Sequence, residues 1–131
     1  MTNLEPLCAK YGHRMINGND RIQDQENIIT KALGVLAESG LYAMCVFFLS
    51  CSKKKYGKEV LTEHLRQLWQ DPGVGILADN IGDDPAILLT EVRRVAENLP
   101  TLILTRRITE QALTFARYHA KAGVPMNREE A

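Results

Sequence analysis

Four lysines near the middle of the chain have the residue type and spacing to bind phosphate groups. Lys53, Lys54 and Lys55 are consecutive, and Lys58 follows one helical turn later with no acidic residue among them. Lysine ammonium groups bind the phosphates of a nucleic-acid backbone electrostatically and carry no base specificity. The cluster therefore predicts a contact with nucleic-acid backbone, and the alternative is a solvated loop between two helices.

A second basic cluster lies in the stretch TRRITEQALTFARYHAKAG, residues 105–123. Its periodicity predicts a helix that begins at Thr109, the N-cap, and ends at Gly123. Arg106 and Arg107 would then lie just outside the helix N-terminus, where each positive charge opposes the helix dipole by roughly a few tenths of a kcal/mol. Backbone N–H groups beside two guanidinium groups would make a phosphate site. The alternative is that both arginines pair with Glu110 or with acidic residues of a neighbouring helix.

The same predicted helix carries more basic residues on one face. Steps of three and four residues place Arg117 and Lys121 in line with Arg107, together with Glu110 and Thr114. A polar outer face is typical of any surface helix, so this stripe by itself is weak support for binding. The residues predicted to contact nucleic acid are Lys53, Lys54, Lys55, Lys58, Arg106, Arg107, Arg117 and Lys121.

The histidines and acidic pairs give little indication of catalysis. His13, His64 and His119 are far apart in the sequence and belong to no metal-ligand motif such as His-Glu-x-x-His. Asp83 and Asp84 are adjacent before a predicted helix, which is more typical of a helix cap than of a metal site. We therefore predict that the chain is not an enzyme and binds no metal and no cofactor. A metal-dependent enzyme would require these histidines to converge in space.

Composition sets the class of protein. The chain has 131 residues, 45% of them hydrophobic, and its 16 basic residues balance its 16 acidic residues, so any cationic surface must be local. Cys8, Cys45 and Cys51 are an odd number of cysteines among apolar residues, which predicts buried thiols in a reducing compartment. The most apolar run, residues 41–49, is far shorter than the ~20 residues that span a bilayer. The composition predicts a cytoplasmic protein with no membrane partner.

Helical periodicity runs along almost the whole chain, and we predict an all-α fold, a single-domain bundle of about six helices. The domain covers residues 1–123, and residues 124–131 form a C-terminal tail. Thr2 and Glu5 are spaced as a capping box before the first helix. Residues 41–49 would also suit a strand, but no other segment of the sequence alternates to pair with one. The predicted helices cover residues 4–15, 22–38, 41–49, 56–69, 85–99 and 109–123, and Pro100 is expected to stop the fifth of them.

Two segments, SGLYAMCVFFLSCSKKKYGKEVLTEHLRQLW (39–69) and RRITEQALTFARYHAKA (106–122), carry a family resemblance. They resemble the small helical subunit of CRISPR type III effector complexes, and most closely the Cmr-type (III-B) subunit. The family's Leu-Pro-x-Leu-Ile stretch usually precedes the Gly-Leu turn, whereas this chain has ALGVLAESGL there and LPTLIL only at 99–104. This departure keeps the III-A (Csm-type) subunit as an alternative. The matching residues are Gly40, Leu41, 47–49, 52–55, Thr109, Ala112, Leu113, Ala120 and Lys121.

The resemblance implies a non-catalytic subunit in antiviral defence. Copies would stack head to tail along the effector complex, contact its other subunits, and line the channel that holds the duplex of crRNA and target RNA. Base pairing with the guide would read the sequence, so the protein would need only backbone contacts. Acidic residues between the two basic clusters would suit head-to-tail association. The competing function is a helical protein–protein adaptor whose basic face binds an acidic partner.

Overall fold

The computed structural model describes residues 3–18, 21–51 and 55–125, and within these ranges the chain forms six helices and no strand. The predicted all-α bundle is therefore confirmed. The fourth helix is continuous from residue 56 to residue 70 and contains a π-helical segment, Val60–Leu65, between the α-helical segments Tyr56–Glu59 and Arg66–Gln70. The helices are α1 (Glu5–Met15), α2 (Ile22–Ser39), α3 (Leu41–Ser50), α4 (56–70), α5 (Pro85–Ala96) and α6 (Leu99–Ala122).

Helix α6 is the longest helix, and α1 runs parallel to it. Near the start of α1, the Cys8 thiol donates to the carbonyl oxygen of Ile108 in α6 at 3.5 Å. Closer to the C-termini of both helices, the rings of His13 and His119 stack with their centroids 4.0 Å apart. Because both contacts advance in the same direction, the two helices run side by side in parallel.

Helix α2 lies against α6 in the opposite direction. Its first turn is tied to the end of α1, because the Gln25 side-chain amide donates to the carbonyl oxygen of Asn17 at 2.8 Å. Its last turn is tied to the first half of α6 through Arg106, which donates to the carbonyl oxygen of Leu36 at 3.0 Å. Helices α1 and α2 therefore enclose α6 from two sides.

The parallel pair packs closely because a glycine lies at its crossing point. A Cβ atom added at Gly12 would collide with the carbonyl oxygen of Ala112 and would come within 3.0 Å of the Phe115 Cβ. The absence of a side chain lets the two helix backbones approach each other. On α6, the residues that face Gly12 are Ala112 and Ala116, which are fully buried and have small side chains.

Helices α3 and α4 complete the core, with α3 packed against α2 and α4 packed against α1. Phe48 in α3 and Tyr56 and Trp69 in α4 are at most 1% exposed. The Tyr56 hydroxyl donates to the carbonyl oxygen of Met15 at 2.7 Å, and the Trp69 indole N–H donates to the Thr109 hydroxyl at 3.0 Å. These two hydrogen bonds satisfy the polar atoms of the largest buried aromatic side chains.

Residues 41–49 form a helix, as predicted, and the strand alternative is wrong. Gly40 has a φ of 95° between α2 and α3, a conformation that glycine adopts without strain and that turns the chain sharply. The helix is not buried on all sides, however. Tyr42 is 38% exposed and Val46 is 42% exposed, so α3 presents one face to solvent.

The prediction that the last helix begins at Thr109 is wrong. Helix α5 ends at Ala96 and α6 begins at Leu99, ten residues before the predicted start. Asn98 is the N-cap, and its side chain accepts a hydrogen bond from the backbone N–H of Thr101 at 3.1 Å. Pro100 lies in the first turn, where a missing N–H costs nothing, so it starts this helix and does not stop the preceding one.

The other predicted boundaries are close to the observed ones. Asp84 caps α5 as predicted, because its carboxylate accepts from the backbone N–H of Ala86 at 2.9 Å. The predicted capping box lies partly outside the described residues, since these do not include Thr2. No helix within the described ranges has both the length and the apolar character to cross a bilayer.

Substituting Gly12 tests the close approach of α1 to α6. We expect Gly12→Ala to lower the free energy of unfolding by about 1–3 kcal/mol, because the new methyl group overpacks the crossing point. Gly34→Ala is the matched control, since Gly34 lies within α2 with no atom in reach of a Cβ. That substitution should raise stability by up to about 1 kcal/mol through helix propensity. Urea unfolding measures both, and equal effects of the two variants would contradict the close approach.

Candidate nucleic-acid interface

The lysine cluster lies where α4 begins. Lys55 occupies the N-cap position, and both it and Lys58, in the first turn, are exposed. The Lys55 side chain makes no capping hydrogen bond. Lys53 and Lys54 were also predicted to bind nucleic acid, and they lie outside the described residues. Lys55 and Lys58 therefore place positive charge at the positive end of the α4 dipole, beside one acidic residue of the first turn, Glu59.

Arg106 and Arg107 do not lie at a helix N-terminus. Both are in the interior of α6, because that helix begins at Leu99. The Arg106 guanidinium donates to the carbonyl oxygens of Leu36 and Ala37, both at 3.0 Å. These carbonyls belong to the last turn of α2, where the helix dipole favours a positive charge. The helix N-terminus on which the predicted phosphate site depended is therefore not at this point, and Arg106 caps the C-terminus of α2.

Arg107 is exposed beside a groove between α1 and α6. The groove has a volume of about 490 Å³ and carries both signs of charge, since Glu5 lines it together with Arg107. A neighbouring hollow adds Glu110. This mixture gives the groove no net attraction for a polyanion. Its lining residues are Asn3, Leu4, Glu5, Leu104, Arg107, Ile108 and Gln111.

Arg117 and Lys121 share the outer face of α6 with Arg107, as the helical spacing predicted. Lys121 is exposed in the last turn, whereas Arg117 is half-buried. The Arg117 Nε atom is buried and has no hydrogen-bond partner among the described residues. Part of the Arg117 guanidinium is therefore removed from solvent.

Two contacts bring three helix termini to one end of the bundle. The hydrogen bond from the Tyr56 hydroxyl to the Met15 carbonyl joins the first turn of α4 to the last turn of α1. The stack of His13 on His119 joins the last turns of α1 and α6. Lys55, Lys58 and Lys121 therefore lie at this end of the bundle, and Arg106 lies toward the opposite end, about 22 Å from Lys121 along α6.

Arg14 also lies at this end, although no sequence pattern singles it out. It is half-buried in the last turn of α1, its guanidinium carbon lies 5.3 Å from the Tyr11 ring, and its charge acts on His64 in α4. We define the basic end as Arg14, Lys55, Lys58 and Lys121. Within the part of the chain that the structure describes, none of these residues forms a salt bridge. The acidic residues within the first five positions of α2 and α4 are Asp24, Glu26 and Glu59.

Two of the three histidines converge. His13 and His119 stack with an interplanar angle of 10°, a geometry in which parallel rings direct no pair of nitrogen atoms at a common ligand. Burial and, to a smaller extent, His13 lower the pKa of His119. His64 lies apart, and burial together with the nearby charge of Arg14 lowers its pKa to about 4. The described residues contain no group of three side chains that could hold a metal ion.

The cysteines have the character of structural thiols. Cys8 and Cys45 are fully buried, as predicted, and Cys51 is half-buried. Burial raises the pKa of Cys8 to about 11 and that of Cys45 to about 12. Both thiols therefore remain protonated at neutral pH and lack the thiolate that acts as a nucleophile.

Comparisons of the chain with models of known protein families, with curated proteins and with solved structures gave no match. The resemblance to the small subunit of type III effector complexes remains a prediction from the quoted sequence segments.

Replacing Arg106 tests its role as a helix cap. We expect Arg106→Gln to lower the free energy of unfolding by about 1–2 kcal/mol, because two carbonyl groups at the end of α2 lose a charged donor. Arg107→Gln removes the same charge from an exposed neighbouring position and should change stability by less than about 0.5 kcal/mol. Chemical unfolding compares the two. An Arg106→Gln variant as stable as the wild type would show that the arginine is available for another partner.

The half-buried imidazole of His64 predicts acid sensitivity. Its folded pKa of about 4 lies below the ordinary value of 6.5, so the unfolded chain takes up the proton first as pH falls. The contribution of neutral His64 to stability is complete above about pH 6.5 and is lost as pH falls toward 4, by up to about 3 kcal/mol. Unfolding measured from pH 7 to pH 4 should show a smaller decline for His64→Gln than for the wild type. Equal declines would contradict the assignment.

Proposed function

We propose that this chain is a non-catalytic small subunit of a CRISPR type III RNA-guided effector complex that acts in the cytoplasm in antiviral defence. In this role, the basic end contacts the backbones of crRNA and target RNA without reading their sequence. The resemblance of residues 39–69 and 106–122 to the Cmr-type subunit supports the family, and the III-A counterpart remains an alternative within it. The observation that carries RNA binding is the grouping of Arg14, Lys55, Lys58 and Lys121 at one end of the bundle.

The start of α4 is the place where an anionic ligand is most favoured. Lys55 and Lys58 place positive charge beside the positive end of the helix dipole, which is unfavourable in the free protein. A bound phosphate reverses the sign of this interaction. Lys53 and Lys54 directly precede this turn in the sequence and add to the local charge.

The proposed mode of binding requires no particular base. Lysine ammonium groups on an exposed helix terminus contact phosphates as point charges, and the guide RNA supplies sequence recognition by base pairing. Such contacts release counterions from the RNA, so affinity falls steeply as salt concentration rises. The proposal therefore predicts strong salt dependence and little difference between RNA sequences.

The distribution of acidic residues supports association of copies head to tail. Asp79, Asp83 and Asp84 are exposed in the segment that follows α4, whereas Lys55 lies where α4 begins. A helix from residue 56 to residue 70 separates its two ends by roughly 20 Å. Opposite charges displaced along one axis favour a repeating arrangement in which the basic region of one copy meets the acidic region of the next.

An adaptor function is the second candidate, and exposed apolar residues favour it. Leu99 is 64% exposed and Ile103, one turn later in α6, is 49% exposed. Apolar side chains one turn apart on a helix surface are typical anchors for a protein partner. In this alternative the basic end binds an acidic protein surface and RNA is not a ligand.

Charge-matched variants test where RNA binds. Lys55→Gln/Lys58→Gln removes two charges from the basic end, and Arg93→Gln/Arg107→Gln removes two exposed charges elsewhere. We expect the first variant to weaken binding to unrelated single-stranded RNAs about equally. It should also reduce the slope of log affinity against log salt by about 1.4, since each lost phosphate contact contributes ~0.7. The second variant should bind as the wild type does.

Equal or greater loss in the Arg93→Gln/Arg107→Gln variant would contradict placement of the RNA at the basic end. Binding that does not respond to salt would contradict backbone contact. If the wild-type protein binds no RNA and instead binds an acidic protein partner, the adaptor function replaces the proposed one.

A further inference from the structure

An exposed tyrosine lies near the end of α6, one helical turn before Lys121. Tyr118 is 63% exposed, whereas the largest aromatic side chains of the core are at most 1% exposed. Within the described part of the chain, its hydroxyl has no hydrogen-bond partner and its ring has no aromatic or cationic side chain in contact. Much of the ring, together with the hydroxyl, is therefore available to a ligand.

The last turns of α6 hold Tyr118 in a fixed position. The next residue, His119, stacks on His13 of α1 with the ring centroids 4.0 Å apart. Gly123, with a φ of 70°, ends the helix, and the backbone N–H of Val124 donates to the carbonyl oxygen of His119 at 3.0 Å. A tyrosine on such an ordered turn loses little conformational freedom on binding, because only two side-chain torsions remain to be fixed.

The chain around Tyr118 carries positive charge and no acidic residue. Residues 111–125 contain no aspartate or glutamate, and their lysine and arginine residues are Arg117 and Lys121. Lys121 is exposed on the same side of α6 as Tyr118, at a Cβ–Cβ separation of roughly 5–6 Å. A base and its own phosphate are separated by one sugar, which is a comparable distance. A nucleotide whose phosphate contacts Lys121 can therefore place its base on the Tyr118 ring.

Tyr118 differs from the other exposed tyrosine that could be compared with it. Single exposed aromatic residues are common on protein surfaces, and Tyr42 in α3 is 38% exposed. The ring of Tyr42 already has a cationic neighbour, because the guanidinium carbon of Arg93 lies 5.9 Å from its centroid. The ring of Tyr118 has no such neighbour and lies beside an exposed lysine of the basic end. An uncovered aromatic ring next to positive charge is typical of sites that bind single-stranded nucleic acid.

We propose that Tyr118 stacks on an unpaired base of the RNA, so that the basic end favours single-stranded over duplex RNA; this inference rests on the proposed function. Stacking adds affinity for any base, because every base has a π face, and it requires no particular sequence. In a duplex, the faces of an interior base are covered by the neighbouring base pairs. The ligand of Tyr118 is therefore a nucleotide of the guide or target strand that is not paired.

Binding of a short labelled RNA, alone and annealed to its complement, tests the stacking. We expect Tyr118→Ala to weaken binding of the single strand about tenfold and to change binding of the duplex by less than about twofold. Tyr118→Phe keeps the ring and should bind the single strand within about twofold of the wild type. The salt dependence should be unchanged in both variants, because neither loses a charge. Alanine favours helix at this exposed position, so the fold should be retained.

Tyr42→Ala is the matched control. It removes an exposed tyrosine ring just after the last turn of α2, which Arg106 ties to the part of α6 distant from Lys121, and it should leave RNA binding unchanged. Stacking is contradicted if Tyr118→Ala binds the single strand as the wild type does, or if it weakens both forms of RNA equally. The proposed function survives that result if Lys55→Gln/Lys58→Gln still weakens binding. A wild-type protein that binds neither form of RNA overturns both proposals.

Discussion

The backbone of α1 lies against the backbone of α6 at Gly12, and most of the remaining structure depends on this contact. It sets how far α1 extends along α6 and so brings His13 beside His119. It also places the carbonyl of Met15 where Tyr56 reaches it, which orients the start of α4. The absence of a side chain at Gly12 thus determines which helix termini share an end of the bundle and which basic residues lie there.

The position of the α6 N-terminus changes the electrostatic role of several arginines. A helix starting at Thr109 would have left Arg106 at a positive helix end, but the helix that starts at Leu99 carries it in the interior, next to the last turn of α2. There the same guanidinium group meets carbonyl oxygens and a favourable dipole. The unfavourable combination of cations and a helix N-terminus occurs instead at α4, with Lys55 and Lys58. An anionic ligand is therefore favoured at the other end of the bundle, for the same electrostatic reason.

Local periodicity predicted most of the helices. The boundary at Pro100 was the least reliable, because proline can either end a helix or occupy its first turn. The bounds of α2 and the helical nature of α3 followed from apolar spacing and from Gly40. Pro100 was interpreted as a stop, although Asn98 two residues earlier is a cap, and the pair is equally typical of a helix start. The π-helical segment of α4 has no signal in the sequence pattern. The His13–His119 stack and the position of Arg14 depend on tertiary packing between residues far apart in the chain, which no local pattern encodes.

The central claim is that anions bind where α1 and α6 end and α4 begins. Backbone NMR shifts recorded during titration with a single-stranded RNA test it most directly, because they report every residue without altering a charge. The account predicts that shift changes concentrate around Arg14, Lys55, Lys58 and Lys121 and disappear at high salt. Changes centred on Arg106 and Arg107, at the other end of α6, would contradict it.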